Sequence, residues 1–242
     1  GDLYRRCGHA VGPMATSLDH LVILAATLPE GVAWCEATFG VALAPGGEHP
    51  LMGTHNRLLN ISSPAHPRAY LEVIAINPGA TPARAAGARR WFDMDNEALQ
   101  AQLRQSGPQL AHWVAQVPDI TRAVAALAAQ AIDRGRVLAA SRPTPHGLLS
   151  WQISVRDDGQ RLFGGCLPTL IEWGAAHPCD HLPSSGVQLQ ALQLQHPDAT
   201  ALRAACGAAG LAQVATITDG PAPRLQALLA TPRGPLVLNS GA

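Results

Sequence analysis

The sequence predicts an α+β fold in which paired βαβββ modules form a curved sheet cup, followed by a third, weaker βαβββ-like unit. Three observations predict it. Short apolar runs of strand length alternate with single helical patterns in the order strand, helix, strand, strand. That order recurs after roughly 90 residues, the mark of a copied supersecondary unit too long for a solenoid repeat. Each copy also carries a histidine in its first strand and a glutamate in its last. His20 lies in Leu-Asp-His-Leu-Val and Glu72 in Tyr-Leu-Glu-Val-Ile; His112 lies in Leu-Ala-His-Trp-Val and Glu172 in Thr-Leu-Ile-Glu-Trp.

The first module spans 18–76. A strand at 18–25 is closed by a Thr-Leu-Pro-Glu turn, and Val32, Cys35 and Phe39 share one face of a helix over 31–39 that Gly40 terminates. Residues 45–50, Pro-Gly-Gly-Glu-His-Pro, read as a loop, with room for a short strand near 41–44. Strands follow at 54–61 and 70–76. Residues 77–109 read as a linker with one short helix from about 96 to 105. The second module, 110–175, repeats the order: a strand at 110–117, a helix over 120–131 announced by Asp119, and strands at 137–140, 148–155 and 169–173. In the third unit, 186–240, neither histidine nor glutamate recurs at the module positions, so it reads as structural. Residues 1–17 have no apolar core of a signal peptide and read as a disordered tail or a remnant of expression.

Composition excludes several classes of function. The formal net charge is zero, so nothing favours nucleic acid or an anionic membrane as partner. No apolar run approaches the 18 or so residues of a membrane span. All 17 basic residues are arginine, which removes any lysine-based Schiff base or general base. Five cysteines without a C-x-x-C pair suggest free thiols in a reducing cytoplasm. There is no Gly-x-Ser-x-Gly elbow and no glycine-rich phosphate loop.

Chemistry therefore rests on the strand histidines and glutamates. A carboxylate buried in an apolar strand neutralises, pairs or binds a metal, and only six glutamates exist in the chain. An ion pair of Glu72 or Glu172 with Arg57 or Arg142 is the bland alternative; a symmetric His…Glu…His…Glu order favours a metal. Of His55 and Asn56, neighbours on one strand, alternation turns Asn56 into the trough. Ser150, Gln152 and Ser154 form a polar strand face expected to line the hollow. Arg142 and His146, flanking Pro-Thr-Pro, suit an anionic substrate or a plain surface loop. His49 reads as a solvated loop residue, and His177 and His181 as part of a proline-rich connector.

The Leu-Asp-His-Leu-Val start, the Gly-Gly-Glu-His-Pro-Leu-Met-Gly-Thr-His-Asn segment, Tyr-Leu-Glu-Val-Ile-Ala and Leu-Pro-Thr-Leu-Ile-Glu-Trp together resemble the glyoxalase-like branch of the vicinal oxygen chelate superfamily, over about 18–173. The resemblance implies a divalent metal (Zn, Ni, Mn or Fe(II)) held by His20, Glu72, His112 and Glu172. It implies Glu172 or Glu72 as general base and keeps His55 as a substrate contact, beside Asn56, Arg142 and Gln152 from the strand and loop reading above. The activity implied is that of a cytoplasmic lyase or isomerase acting on a small oxygenated metabolite through two vicinal oxygens. An Fe(II) extradiol-type dioxygenase and a metal-free sequestering protein are the alternatives. A homodimer is expected if the third unit's sheet seeks a partner.

Overall fold

A computed structural model of the protein describes residues 16–241. The expected tail thus lies outside the described residues except for its last two positions. The first module comprises β1 (Ser17–Leu24), α1 (Leu28–Phe39), β2 (Ala44–His49), β3 (Thr54–Asn60) and β4 (Tyr70–Ile76). After α2 (Glu97–Ser106), the second comprises β5 (Gln109–Gln116), α3 (Ile120–Ala128), β6 (Arg136–Thr144), β7 (Gly147–Val155) and β8 (Thr169–Trp173). The third comprises β9 (Gln188–His196), α4 (Ala199–Ala208), β10 (Thr216–Asp219), β11 (Arg224–Thr231) and β12 (Gly234–Asn239). Among the described residues no helix is long and apolar enough to cross a membrane.

The first two modules share one eight-stranded sheet in the order β2-β3-β4-β1-β5-β8-β7-β6. Within each module the first and last strands pair in parallel, β1 with β4 and β5 with β8, and the modules join through an antiparallel β1–β5 seam. The sheet curls into a nearly closed cup whose edges, β2 and β6, approach across the mouth. A Cβ built on Gly47 of β2 would stand 2.7 Å from the Arg142 guanidinium of β6.

Two apolar layers follow from strand alternation. Leu21, Ile23, Leu71, Val73, Trp113 and Ala115 face outward onto α1, α3 and the third unit. Val22, Leu24, Ile74, Val114, Ile153 and Ile171 face into the cup, where they meet Trp91, Phe92, Met94, Leu99 and Leu103. The segment between the modules therefore fills part of the cup. The four-stranded sheet β10-β9-β11-β12 buries Leu189, Leu192, Leu225 and Leu229 in the outward core. Its apolar face is covered inside the chain, so the reason for expecting a partner subunit there is gone.

Three elements differ most from the sequence reading, and one is β6, which continues past the expected 137–140 through Arg142 to Thr144. The Thr-Leu-Pro-Glu stretch opens α1 instead of merely closing β1: the Thr27 hydroxyl accepts the Glu30 N–H at 3.3 Å, and Pro29 sits in the first turn, where no N–H is needed. The expected loop at 45–50 largely belongs to β2. An edge strand bonds to one neighbour only and tolerates proline and glycine, and its register with β3 shifts between Pro45 and Glu48, where Gly46 and Gly47 lie.

Candidate active site

His20 and Glu72 sit across the parallel β1–β4 pair and face into the cup. His20 Nε2 lies 3.7 Å from Glu72 Oε1, with His20 only 4% exposed. The His20 ring stacks on Tyr70, centroids 4.5 Å apart. Its Nδ1 lies 2.7 Å from Oδ2 of Asp19, the preceding residue. Adjacent strand residues normally point to opposite faces, but the register of β1 against β5 shifts between Leu18 and His20.

Asp19 is fully buried and accepts two further bonds, from Trp173 Nε1 at 2.9 Å and from His177 Nε2 at 2.8 Å. His177 Nδ1 accepts the Cys179 N–H, so the proton of that ring belongs on Nε2, aimed at Asp19. Burial alone would raise the Asp19 carboxyl's pKa; hydrogen bonds from His177 and His20 outweigh it and hold the group well below the usual carboxylate range. A carboxylate there requires His20 to carry a proton on Nδ1, which leaves Nε2 as the ring atom that faces Glu72.

Beside them, the Asn56 amide spreads both protons, donating to Glu72 Oε2 at 2.6 Å and to His49 Nε2 at 3.3 Å. Its carbonyl accepts the Gly47 N–H at 2.8 Å, which fixes which end is the amine. His49 Nδ1 in turn donates to Thr54 Oγ1 at 3.0 Å. Burial is the main cause of a His49 pKa lowered to about 4, with Arg142 acting in the same direction and Glu72 against it. A neutral ring matches a Nε2 that accepts. Glycine is needed on β2 here: a Cβ on Gly46 would stand 2.2 Å from the backbone carbonyl oxygen of Asn56.

These groups floor a cleft of about 40 Å³. The second module lends it apolar walls: Trp151, Ile153, Ile171 and Trp173. The linker lends Trp91 and Phe92, with Trp91 edge-on to His49 at 5.0 Å and stacked on Phe92. Phe92 and Asp93 hold positive φ (59° and 57°), an uncommon conformation for such residues. Asp93 is anchored there by Arg161 Nε at 2.8 Å. The Trp91 indole N–H is buried without a hydrogen-bond partner among the described residues.

Four expected site residues are not in this cleft. His112 shares the inward face, but both ring nitrogens are occupied: Nδ1 donates to the Gly165 carbonyl at 2.8 Å, and Nε2 accepts the Thr169 N–H at 3.2 Å. Burial, then Arg134 and Arg161, push its pKa well below the ordinary histidine value, as befits a neutral core residue. Glu172 faces the opposite side, where Oε1 accepts the Ile120 N–H at 2.9 Å and caps α3. Gln152 pairs with Glu172 across β7–β8 and shares its face, while Trp151 and Ile153 line the cleft. The hollow is walled by the apolar face of β7, because α3 packs against the polar one. His55 lies on the reverse face of β3 from Asn56.

The expected ligand set therefore does not fit a single ion: His112 has no free nitrogen and Glu172 is turned away. His49 supplies another donor 4.0 Å from Glu72, yet among the described residues no three His, Cys, Asp or Glu side chains converge as ligands would. The residues that sequence reading passed over are Asp19, His49, Trp91 and His177. Asp19 carried the same signal as Glu72, a carboxylate in an apolar strand, whereas His49, read as a solvated loop residue, is buried and lines the cleft.

Compared with known proteins, residues 18–219 match the model of a family described as a glyoxalase-like domain. A hypothetical protein from Staphylococcus aureus superposes with a TM-score of 0.58 at 13% identity, over 86% of this chain and 88% of that one. Methylmalonyl-CoA epimerase of Streptomyces coelicolor (TM-score 0.41, 16% identity, 68% and 99% covered) and that of Mycobacterium tuberculosis (0.37, 16%, 66% and 88%) are more distant. No curated protein matches.

Proposed function

We propose, for a chain that belongs to the glyoxalase-like domain family of the vicinal oxygen chelate superfamily, an enzyme of isomerase or lyase type that moves a proton on a small oxygenated metabolite. One observation carries this reading. His20 Nε2 and Glu72 Oε1 face each other 3.7 Å apart, and among the described residues no other group hydrogen-bonds to either atom. A buried imidazole nitrogen facing a carboxylate oxygen calls for a proton between them, or for a substrate group that exchanges one.

The chemistry follows from the hydrogen bonds. His20, held in its Nδ1–H tautomer by Asp19, takes a proton from carbon beside a carbonyl, and the electron pair moves onto the carbonyl oxygen. Glu72, braced by Asn56, takes that proton over from His20 Nε2, which faces it at 3.7 Å, and returns it to a neighbouring atom of the substrate. The unpaired Trp91 N–H and the Arg142 guanidinium are the donors available to the substrate's oxygens. The four described cysteines are unpaired, in keeping with a reducing cytoplasm as the setting.

Chelation by Zn, Ni, Mn or Fe(II) is the second reading. What favours it is that His20, His49 and Glu72 each carry an outer partner, Asp19, Thr54 and Asn56, as metal ligands usually do. Against it stand the occupied His112, the averted Glu172 and the Asn56–His49 bond.

The test is solvent deuterium incorporation into a panel of 2-oxo and 2-hydroxy compounds, followed by NMR, with metal content measured on the same protein. Exchange that is lost in His20→Ala and Glu72→Gln supports the proposal. Exchange that persists in both variants sinks it. Tight binding with no exchange of any compound points to a sequestering protein, and stoichiometric metal lost with His49→Ala points to the chelating reading.

A further inference from the structure

The cleft adjoins a second, larger chamber of about 220 Å³, and the two share Leu58, Arg142 and Pro178. The inner space admits only a few heavy atoms, since a water needs about 10–15 Å³ of such volume. The outer chamber spans the mouth between the modules. Pro45 comes from β2, Leu148 and Leu149 from β7, and Leu182 and Pro183 from the connector after β8. Its rim carries His146 stacked on His181 at 3.8 Å.

Arg142 stands at the junction. Among the described residues no carboxylate lies within ion-pair distance of it, and it is the one arginine lining either space. Gly47 makes room for its guanidinium. A half-buried guanidinium without an acid is matched by an anion brought in from outside. One guanidinium, with Glu72 close by, suits a single negative charge better than a phosphate. Leu148, at the chamber mouth, is 62% exposed, so its side chain is free to meet a ligand that occupies the chamber.

We infer that the ligand is a monoanionic carboxylic acid with an apolar tail: its carboxylate meets Arg142 where the two spaces join, its small oxygenated end enters the His20–Glu72 cleft, and its tail fills the outer chamber. The inference deepens the proposed function, and it rests on that reading only for which end reacts. Binding is independent of turnover.

Isothermal titration of the intact protein with acetate, hexanoate, octanoate, octanamide and octyl phosphate tests it. Affinity rises from acetate to octanoate, by up to about fourfold per buried methylene, and octanamide binds more weakly than octanoate. Arg142→Gln weakens octanoate by about 10- to 100-fold and leaves octanamide unchanged. Leu148→Ser, at an exposed position that folding does not depend on, weakens octanoate and spares acetate. Equal binding of octanoate and octanamide, tail-independent affinity, or tighter binding of octyl phosphate would each overturn the assignment. Octanoate binding without any deuterium exchange would fail the enzymatic reading and uphold this one; exchange in short oxo compounds with no binding of long acids would do the opposite.

Discussion

Replacing Asp19 with asparagine alters one atom at the centre of the site. The carboxylate accepts from His20 at 2.7 Å, His177 at 2.8 Å and Trp173 at 2.9 Å, with no exposure to solvent. An asparagine oxygen can keep the Trp173 and His177 bonds, but its amine then faces the His20 Nδ1–H. Two donors cannot share that gap, so His20 moves its proton to Nε2 and donates to Glu72 instead of accepting. Three charge-assisted bonds become neutral ones, each weaker by about 1 kcal/mol. Release from burying a charge offsets part of that, for a net loss of about 1–3 kcal/mol. Against a typical total of about 5–15 kcal/mol the variant stays folded. Urea denaturation should show the midpoint falling with the slope unchanged. Loss of the wrong-tautomer kind should lower proton exchange by about 10²–10⁴-fold, the scale of general acid–base catalysis. An Asp19→Asn protein that keeps the parental exchange rate would refute the tautomer argument.

Other outcomes follow from the same geometry. The His49 pKa of about 4 lies below an unfolded value near 6.5. Its contribution to stability is therefore present above about pH 6.5 and lost as pH falls through about 4, up to about 3 kcal/mol in all. Asp19, also depressed, adds loss in the same direction at still lower pH. Denaturation midpoints from pH 8 to 4 check this, and His49→Gln should flatten the upper part of the curve. Glu172→Ala removes the acceptor for the Ile120 N–H and should cost about 0.5–2 kcal/mol by thermal or urea melting. Gly46→Ala drives a Cβ into the Asn56 carbonyl and should cost more stability than Gly47→Ala, whose Cβ meets only the movable end of Arg142.

The duplicated architecture was legible because periodicity and breakers report local structure directly: β8 matches the expected 169–173 and β4 the expected 70–76. Side-chain facing was legible in the first module, where Glu72 and Asn56 share the inward face. In the second it was not. Thr-Leu-Ile-Glu-Trp contains apolar side chains at both parities, so nothing in it says whether Glu172 or Trp173 looks inward. What decides is α3, which packs on the outer face and needs an acceptor at its N-terminus. The polar face of β7 misled for a related reason: Ser154 Oγ is buried as an acceptor for the Leu170 N–H. His49 was hidden because proline and glycine argue against a strand unless the strand is known to be an edge. His177 reaches Asp19 from 158 residues away, a contact no local pattern carries.

The most direct measurement is the exchange rate of four single variants under one set of conditions: His20→Ala, Glu72→Gln, His112→Gln and Glu172→Gln. A reactive cleft built from the first module and merely walled by the second predicts that the first two lose exchange. The last two should keep kcat within about threefold once corrected for folded protein. Loss of exchange in the His112 or Glu172 variant at full folding, restored by no first-module residue, would contradict it.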